Sequence, residues 1–245
     1  MCSSDLQGGT AVGTGVNAPG EFTGQFVRFL KDRTGDGFRS LDHKFVGQSA
    51  IDAPVNMSAQ LRGLAVVLTK IANDLRWMNS GPIHGLAEIS LPALQPGSSI
   101  MPGKVNPVIP ESVAMASAQV MGLDSTNAIA GQSGNFQLNV MLPLVGANLL
   151  DMIELLGNAM RMLADRAIRG FTVNAHNLNE AVGKNPVLVT ALNPEIGYAL
   201  ASDIAKEAYK TGRAVIDVAE ERSGLDRARL EELMDPLKLT RGGLA

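Results

Sequence analysis

In the stretch MSAQLRGLAVVLTKIANDLRWMNSG, apolar side chains fall at Leu61, Leu64, Leu68, Ile71, Leu75 and Met78, stepping by three, four, three, four and three. Such spacing keeps one face of an α-helix apolar through about seven turns and predicts a heptad-like seam that needs partner helices. Pro54 near the start and Gly81-Pro82 at the end are the expected punctuation. A second helix is predicted with Asn106 as N-cap and Pro107 in the first helical position, running through VIPESVAMASAQVMG. Its Ala, Ser and Gly residues suit close helix contact. A third spans about residues 138–168, with Leu149, Met152, Ile153, Leu156, Met160 and Leu163 on one face, and must tolerate Pro143. Long, mostly uncharged helices of this kind cannot hide their faces in a small monomer.

Beyond RGFTVNAHNLNEAVGKNP the texture changes to shorter, more charged helices: GYALASDIAKEAYKTG, AVIDVAEERSG and RARLEELMDP. No stretch alternates apolar and polar residues for long enough to make a sheet. The predicted class is therefore all-α, with a long-helix bundle over residues 7–171 and a small C-terminal helical subdomain over residues 172–245. At 245 residues and 45% hydrophobic content, the chain can supply the core such a bundle requires. The opening MCSSDL leads into QGGTAVGTGVN without a helix or strand signal and resembles a translated sequencing-adapter end, so residues 1–6 are read as an artefact or unstructured lead.

Charge narrows the partners. A formal net charge of −3 with scattered Lys and Arg offers no basic stripe for phosphates, and the seven Phe, two Tyr and one Trp are not interleaved with one, which argues against nucleic acid. No apolar run is long enough for a membrane span, and Cys2 is the sole cysteine, so the expectation is a cytoplasmic protein without an intrachain disulfide.

Among candidate chemistries, Gly13-Thr14-Gly15-Val16-Asn17-Ala18 fits the dinucleotide pattern G-x-G-x-x-A but lacks a convincing strand before it and helix after it. His43, His84 and His176 are far apart, with no carboxylate or cysteine at ligand spacing, so no metal site is expected. The segment LQPGSSIMPGKVNPVIPES differs in kind. Gly97 and Gly103 permit backbone shapes closed to other residues, Pro102 and Pro107 fix turns, and the whole ends at a helix N-terminus. Lys104 and Asn106 can set a cation and an amide beside that positive helix end, with the Ser98 and Ser99 hydroxyls facing a bound carboxylate. A plain Gly/Ser/Pro connector between helices would show the same spacing.

GSSIMPGKVNP, residues 97–107, resembles the signature G-S-S-x-M-P-x-K-x-N-P of the fumarase/aspartase superfamily at every fixed position. GGTAVGTGVN, KIANDLRWMNSGP, SGNFQLNV and TALNPEIGY are similar, in that order, to segments of class II fumarases. The resemblance implies a homotetramer whose active sites each draw on three subunits, hydrating fumarate to (S)-malate in the tricarboxylic acid cycle without metal or organic cofactor. By that resemblance Ser98 is the base that takes the C3 proton of malate, Lys104, Asn106 and Ser99 hold substrate carboxylate, and Glu111 pairs with a catalytic histidine. An unassisted serine is too weak a base at neutral pH, and the loop would have to present its hydroxyl in an electropositive setting. The family's T-H and S-S-N segments have no counterpart, so the chain is similar to the C-terminal half only and is expected to be inactive alone. Aspartate ammonia-lyase, which shares signature and serine, and a non-catalytic helical scaffold are the alternatives; Gly103 and Ile196-Gly197-Tyr198 favour fumarase, Gln137-Leu138-Asn139-Val140-Met141 aspartase.

Overall fold

The computed structural model describes residues 5–6 and 13–241. Its elements in chain order begin with β1 (Asp5–Leu6), α1 (Phe22–Thr34), β2 (Arg39–Ser40), α2 (Lys44–Ser49) and α3 (Asp52–Met78). Then come β3 (Ile89–Ser90), α4 (Val108–Gln132) and α5 (Leu142–Met162), which continues through a π turn (Leu163–Ala167) and a 3₁₀ turn (Ile168–Gly170). After β4 (Thr172–Val173) follow α6 (Ala175–Gly183), a 3₁₀ segment (Pro186–Leu192), α7 (Asn193–Ile196), α8 (Tyr198–Thr211), α9 (Val215–Ser223), α10 (Arg227–Leu233) and α11 (Pro236–Leu239). The class is all-α, as the sequence predicts. The strands are two-residue pairings only, β1 parallel to β2 and β3 antiparallel to β4. Among the described residues no helix is long and apolar enough to cross a membrane.

The described residues divide into two compact units, those of Met1–Trp77 with Leu91–Phe171 and those of Met78–Ser90 with Thr172–Ala245. In the first unit, α4 and α5 form an antiparallel hairpin. The chain turns between them on Asn139, which donates from Nδ2 to the Ala130 carbonyl at 2.9 Å and accepts the Met141 N–H at 2.9 Å. Helix α5 starts at Leu142, later than predicted, because proline fits the first turn, where its missing N–H costs nothing, and Pro143 sits there.

The apolar seam of α3 exists and includes the predicted Leu68 and Leu75, but two alanines, Ala65 and Ala72, are buried beside the predicted Leu64 and Ile71. Buried are Ser58, Ala65, Leu68, Ala72 and Leu75, with Leu61 partly covered, while Leu64 stands at the flank and Ile71 is 36% exposed. Alternate contact positions are thus alanines, whose small side chains let a neighbouring helix approach at interior packing density. In α5 the buried line is Val145, Asn148, Met152, Leu156 and Ala159, and the expected Ile153 and Met160 face outward.

Helix α4 runs ten residues past Gly122, where its core positions become polar. Ser58 of α3 donates to Asp124 Oδ1 at 2.7 Å, Asn127 Nδ2 donates to Ser58 Oγ at 3.0 Å, and Asn148 Nδ2 of α5 donates to Asn127 Oδ1 at 2.9 Å. Arg62 Nε lies 2.8 Å from Asp124 Oδ2, so the chain of bonds reaches solvent through a half-exposed guanidinium. Val55 touches the Gly131 position, Ser58 meets Asn127 and Arg62 meets Asp124, which sets α3 antiparallel to α4.

In the second unit, Leu192, Ile204, Val215, Val218 and Leu230 form a closed apolar core. Helices α8 and α9 close on Gly212 and Gly224 in left-handed conformations. Residues 78–90 belong to this unit because Asn174 and Asn177 each donate a side-chain N–H to the Ala87 carbonyl at 2.9 Å beside the β3–β4 pairing.

Asn127 is the junction of the polar seam. Asn127→Ala would strand the Ser58 and Asn148 groups in a buried site, and the expected loss is about 2–4 kcal/mol in urea unfolding, against under about 1 kcal/mol for Asn158→Ala on the outer face of α5.

Candidate active site

Residues 97–107 form a closed loop between Leu91–Pro96 and the start of α4. The Gly97 N–H donates to the Lys104 carbonyl at 2.7 Å, and Asn106 Nδ2 donates to the Gly97 carbonyl at 3.0 Å, so both faces of one glycine are clasped by the far end of the loop. A Cβ at residue 97 would lie 2.8 Å from both Asn106 N and Lys104 O, closer than side-chain carbons approach backbone. Glycine is therefore required there for contact. At Gly103 the requirement is conformational, since φ is +80° with open space around it. Within the clasp the Lys104 N–H donates to the Met101 carbonyl at 3.2 Å.

Ser98 is half-buried, and its Oγ accepts two backbone hydrogen bonds, from the N–H groups of Ile100 and Met101, both at 3.1 Å. Two donors converging on one hydroxyl oxygen stabilise it most when it carries negative charge. This is the property a serine base requires. The two N–H groups are functional candidates that the sequence reading missed; serine followed two and three residues later by free amides is the familiar turn in which the hydroxyl caps its own backbone.

The remaining predicted residues are placed as follows. Ser99 and Lys104 are exposed, and neither side chain makes a hydrogen bond or ion pair among the described residues. Asn106 is half-buried and does not cap α4, contrary to the prediction. The cap position is Pro107, because the Val108 N–H is already taken by the Asn106 carbonyl at 2.8 Å and the Asn106 side chain is turned back to Gly97. Glu111 lies in the first turn of α4, half-buried, with its N–H bonded to the Pro107 carbonyl at 3.1 Å.

The helix end itself is a poorer anion cradle than its dipole suggests. Pro107 and Pro110 have no N–H, and those of Val108 and Glu111 are bonded within the turn, so only that of Ile109 remains. The donors that remain at this loop are side chains and the Ile109 N–H.

The three histidines stay apart in role: His43 precedes α2, His84 is exposed, and His176 lies 4.0 Å from Glu180 on the surface of α6. Among the described residues no three His, Cys, Asp or Glu side chains group as a metal site. In the G-x-G-x-x-A stretch, Gly13 and Gly15 have φ of +91° and +72°, and the next helix, α1, opens only at Phe22; the residues before Gly13 lie outside the described ones.

The hydrogen-bond pattern predicts separable effects in amide exchange measured by NMR. Ser98→Ala should speed exchange at Ile100 and Met101 by about fivefold, the value of one exposed hydrogen bond, and leave Gly97 protected. Gly97→Ala should instead abolish protection at residue 97 and shift the Asn106 side-chain amide signals.

Comparison with known proteins adds to this geometry. The family described as Lyase matches residues 1–122, and the family described as Fumarase C C-terminus matches residues 188–241. The chain is 63% identical over 238 residues to fumarate hydratase class II 2 of Pseudomonas aeruginosa, covering 97% of this chain and 52% of that protein. It is 42% identical, also over 238 residues, to aspartate ammonia-lyase of Bacillus subtilis, covering 97% and 50%. The crystal structure of recombinant class II fumarase from Schistosoma mansoni superposes with a TM-score of 0.83 at 36% identity, over 96% of this chain and 52% of that one. Fumarate lyase:delta crystallin from Brucella melitensis, in its cobalt-bound crystal, gives 0.89 at 45% identity over 95% and 50%. The chain spans about half the length of the curated relatives it matches. With the signature loop intact and both family matches in order, the chain belongs to the fumarase/aspartase superfamily of lyases, on its class II fumarase side.

Proposed function

We propose that this chain supplies the serine loop of a fumarate hydratase, a hydro-lyase that interconverts fumarate and (S)-malate. The observation that carries the reading is the pair of backbone N–H groups on Ser98 Oγ. Dehydration of malate begins with loss of the C3 proton, which leaves a dianionic aci-carboxylate. Ser98, ionised with help from the Ile100 and Met101 amides, is the base. The exposed Lys104 ammonium, the second Asn106 N–H and the Ser99 hydroxyl would hold the carboxylate on which the second charge develops, a placement that lowers the barrier because it acts mainly in the transition state. The hydroxyl then departs with a proton from an acid, and Glu111 would tune a histidine serving that end of the pocket. The chemistry so written uses no metal or organic cofactor.

The substrate is a small dicarboxylate, and the proposed setting is cytoplasmic. We also assign a homotetramer with active sites shared between subunits, for which residues 7–171, apart from 78–90, would supply a partial bundle and residues 172–245, joined by 78–90, a C-terminal subdomain. Supporting this are large apolar side chains left exposed along the long helices, among them Val66, Val67, Trp77, Met115, Leu150 and Ile153. Faces of this size are covered in stable proteins. Aspartate ammonia-lyase is the second reading, favoured by Gln137-Leu138-Asn139-Val140-Met141 and by the Bacillus subtilis relative, and weaker by the gap between 63% and 42% identity. A helical scaffold without activity is the third.

Two measurements test these assignments. The 245-residue chain alone should form no malate from fumarate, whereas mixing or fusing it with the other half of the Pseudomonas aeruginosa relative should restore hydration; Ser98→Ala in the restored enzyme should cut the rate about 10²- to 10⁴-fold. With ammonium added, malate should remain the main product, and a majority of aspartate would move the assignment to the ammonia-lyase. In light-scattering chromatography at micromolar concentration the chain should elute as an oligomer, and a sharp monomer peak would count against shared sites.

A further inference from the structure

The C-terminal unit contains an open cavity of about 240 Å³, which shares no residue with the 97–107 loop. Its walls are apolar: Val182 from α6, Leu188 from the 3₁₀ segment, Ile216 from α9, and Met234 and Pro236 at the α10–α11 junction. Leu188 and Met234 are also members of this unit's buried core, so the cavity floor is fixed by packing. A cavity of about 150 Å³ lined by such side chains holds a benzene ring, and this one has room for a ring with a short arm. At its edge lies Gly183, where an added Cβ would meet no atom within 4 Å.

The polar part of the lining is acidic. Besides the Asn179 amide it consists of Glu231 and Asp235. The cation beside Glu231 is Arg227, whose Nε is 3.4 Å away, but the same guanidinium lies 2.7 Å from Asp217 and 3.0 Å from Glu220. Asp235 makes no ion pair among the described residues, and one of its oxygens accepts the Leu237 N–H at 2.9 Å. Nearby lysines are engaged elsewhere, Lys184 with Glu180 at 2.7 Å and Lys238 with Glu232 at 4.0 Å. Of the two carboxylates that line the apolar cavity, Glu231 thus shares one guanidinium with Asp217 and Glu220 and Asp235 has no ion pair among the described residues, so the excess charge in the lining is negative.

From this combination we propose that the cavity binds a small organic cation with an apolar body, an alkyl- or arylammonium ion. The body would lie against Leu188, Ile216 and Met234 and the ammonium group against Glu231 and Asp235. The site does not depend on the fumarase reading and uses neither the substrate dicarboxylate nor its charge.

Methyl-detected NMR titration of the full chain with benzylammonium, benzyl alcohol and benzoate tests it. Benzylammonium should give saturable shifts at the Val182, Leu188, Ile216 and Met234 methyls, with benzyl alcohol weaker and benzoate without effect. Glu231→Gln combined with Asp235→Asn removes the charge while keeping a capping side chain before α11, and should weaken benzylammonium binding about fivefold, to the level of the alcohol. Gly183→Leu, checked for native circular dichroism, should abolish the shifts by filling the cavity. The proposal is overturned if benzylammonium gives no saturable shift at these methyls, if the alcohol or benzoate binds as well as the ammonium, or if the double charge variant binds with unchanged affinity.

Discussion

The first unit depends on a line of polar side chains buried where an apolar core would be expected. Ser58, Asp124, Asn127 and Asn148 bond in series across three helices, and Met152 sulfur lies 3.6 Å from Asn127 Nδ2. An apolar seam tolerates sliding by a turn, because one leucine replaces another at little cost. A hydrogen-bonded series does not: a slip strands several buried donors and acceptors at once, each costing about 1–3 kcal/mol. The network therefore fixes the axial position of α4, and α4 carries Glu111 and receives the loop ending at Pro107.

That loop is closed by few interactions, and they converge on a glycine and a serine. Its closure is one backbone and one side-chain hydrogen bond, with Gly97 held between the Lys104 carbonyl and the Asn106 amide, and the Ser98 hydroxyl oxygen accepts from two amides of its own turn. Because Pro107 and Pro110 have no N–H and those of Val108 and Glu111 are bonded within the turn, the adjacent helix start offers only the Ile109 N–H. Among the side chains of the loop, that of Lys104 is exposed and makes no hydrogen bond or ion pair among the described residues.

The second unit is built differently, as short helices around a closed core with ion pairs on its surface. Arg213 with Glu221 and Arg222 with Glu207 hold the α8–α9 corner, and Arg229 with Glu195 ties α10 to α7. Exposed pairs of this kind contribute little each, about 0.2–1 kcal/mol, so burial of Leu192, Ile204 and Leu230 carries the fold. An acidic excess remains at one cavity mouth.

Much was readable from residue order. The helical class follows from repeating three- and four-residue steps, α8, α9 and α10 from glycine and aspartate at their ends, and the superfamily from eleven consecutive residues at 97–107. These are local properties, set by backbone geometry within a few residues. What the chain order left open was every choice made between helices. Periodicity of apolar residues cannot tell Leu64 from Ala65 as the contact position, because both lie near one face and only the neighbour's distance selects the smaller. Nor could it extend α4 past Gly122, since a core of Asp124 and Asn127 reads as surface until Ser58 and Asn148 are brought to them. The Ser98 residue was named from sequence; that its oxygen accepts two amides, and that Asn106 clasps Gly97 in place of capping a helix, was decided only by the folded loop, where hydrogen-bond direction is fixed by atoms nine residues apart.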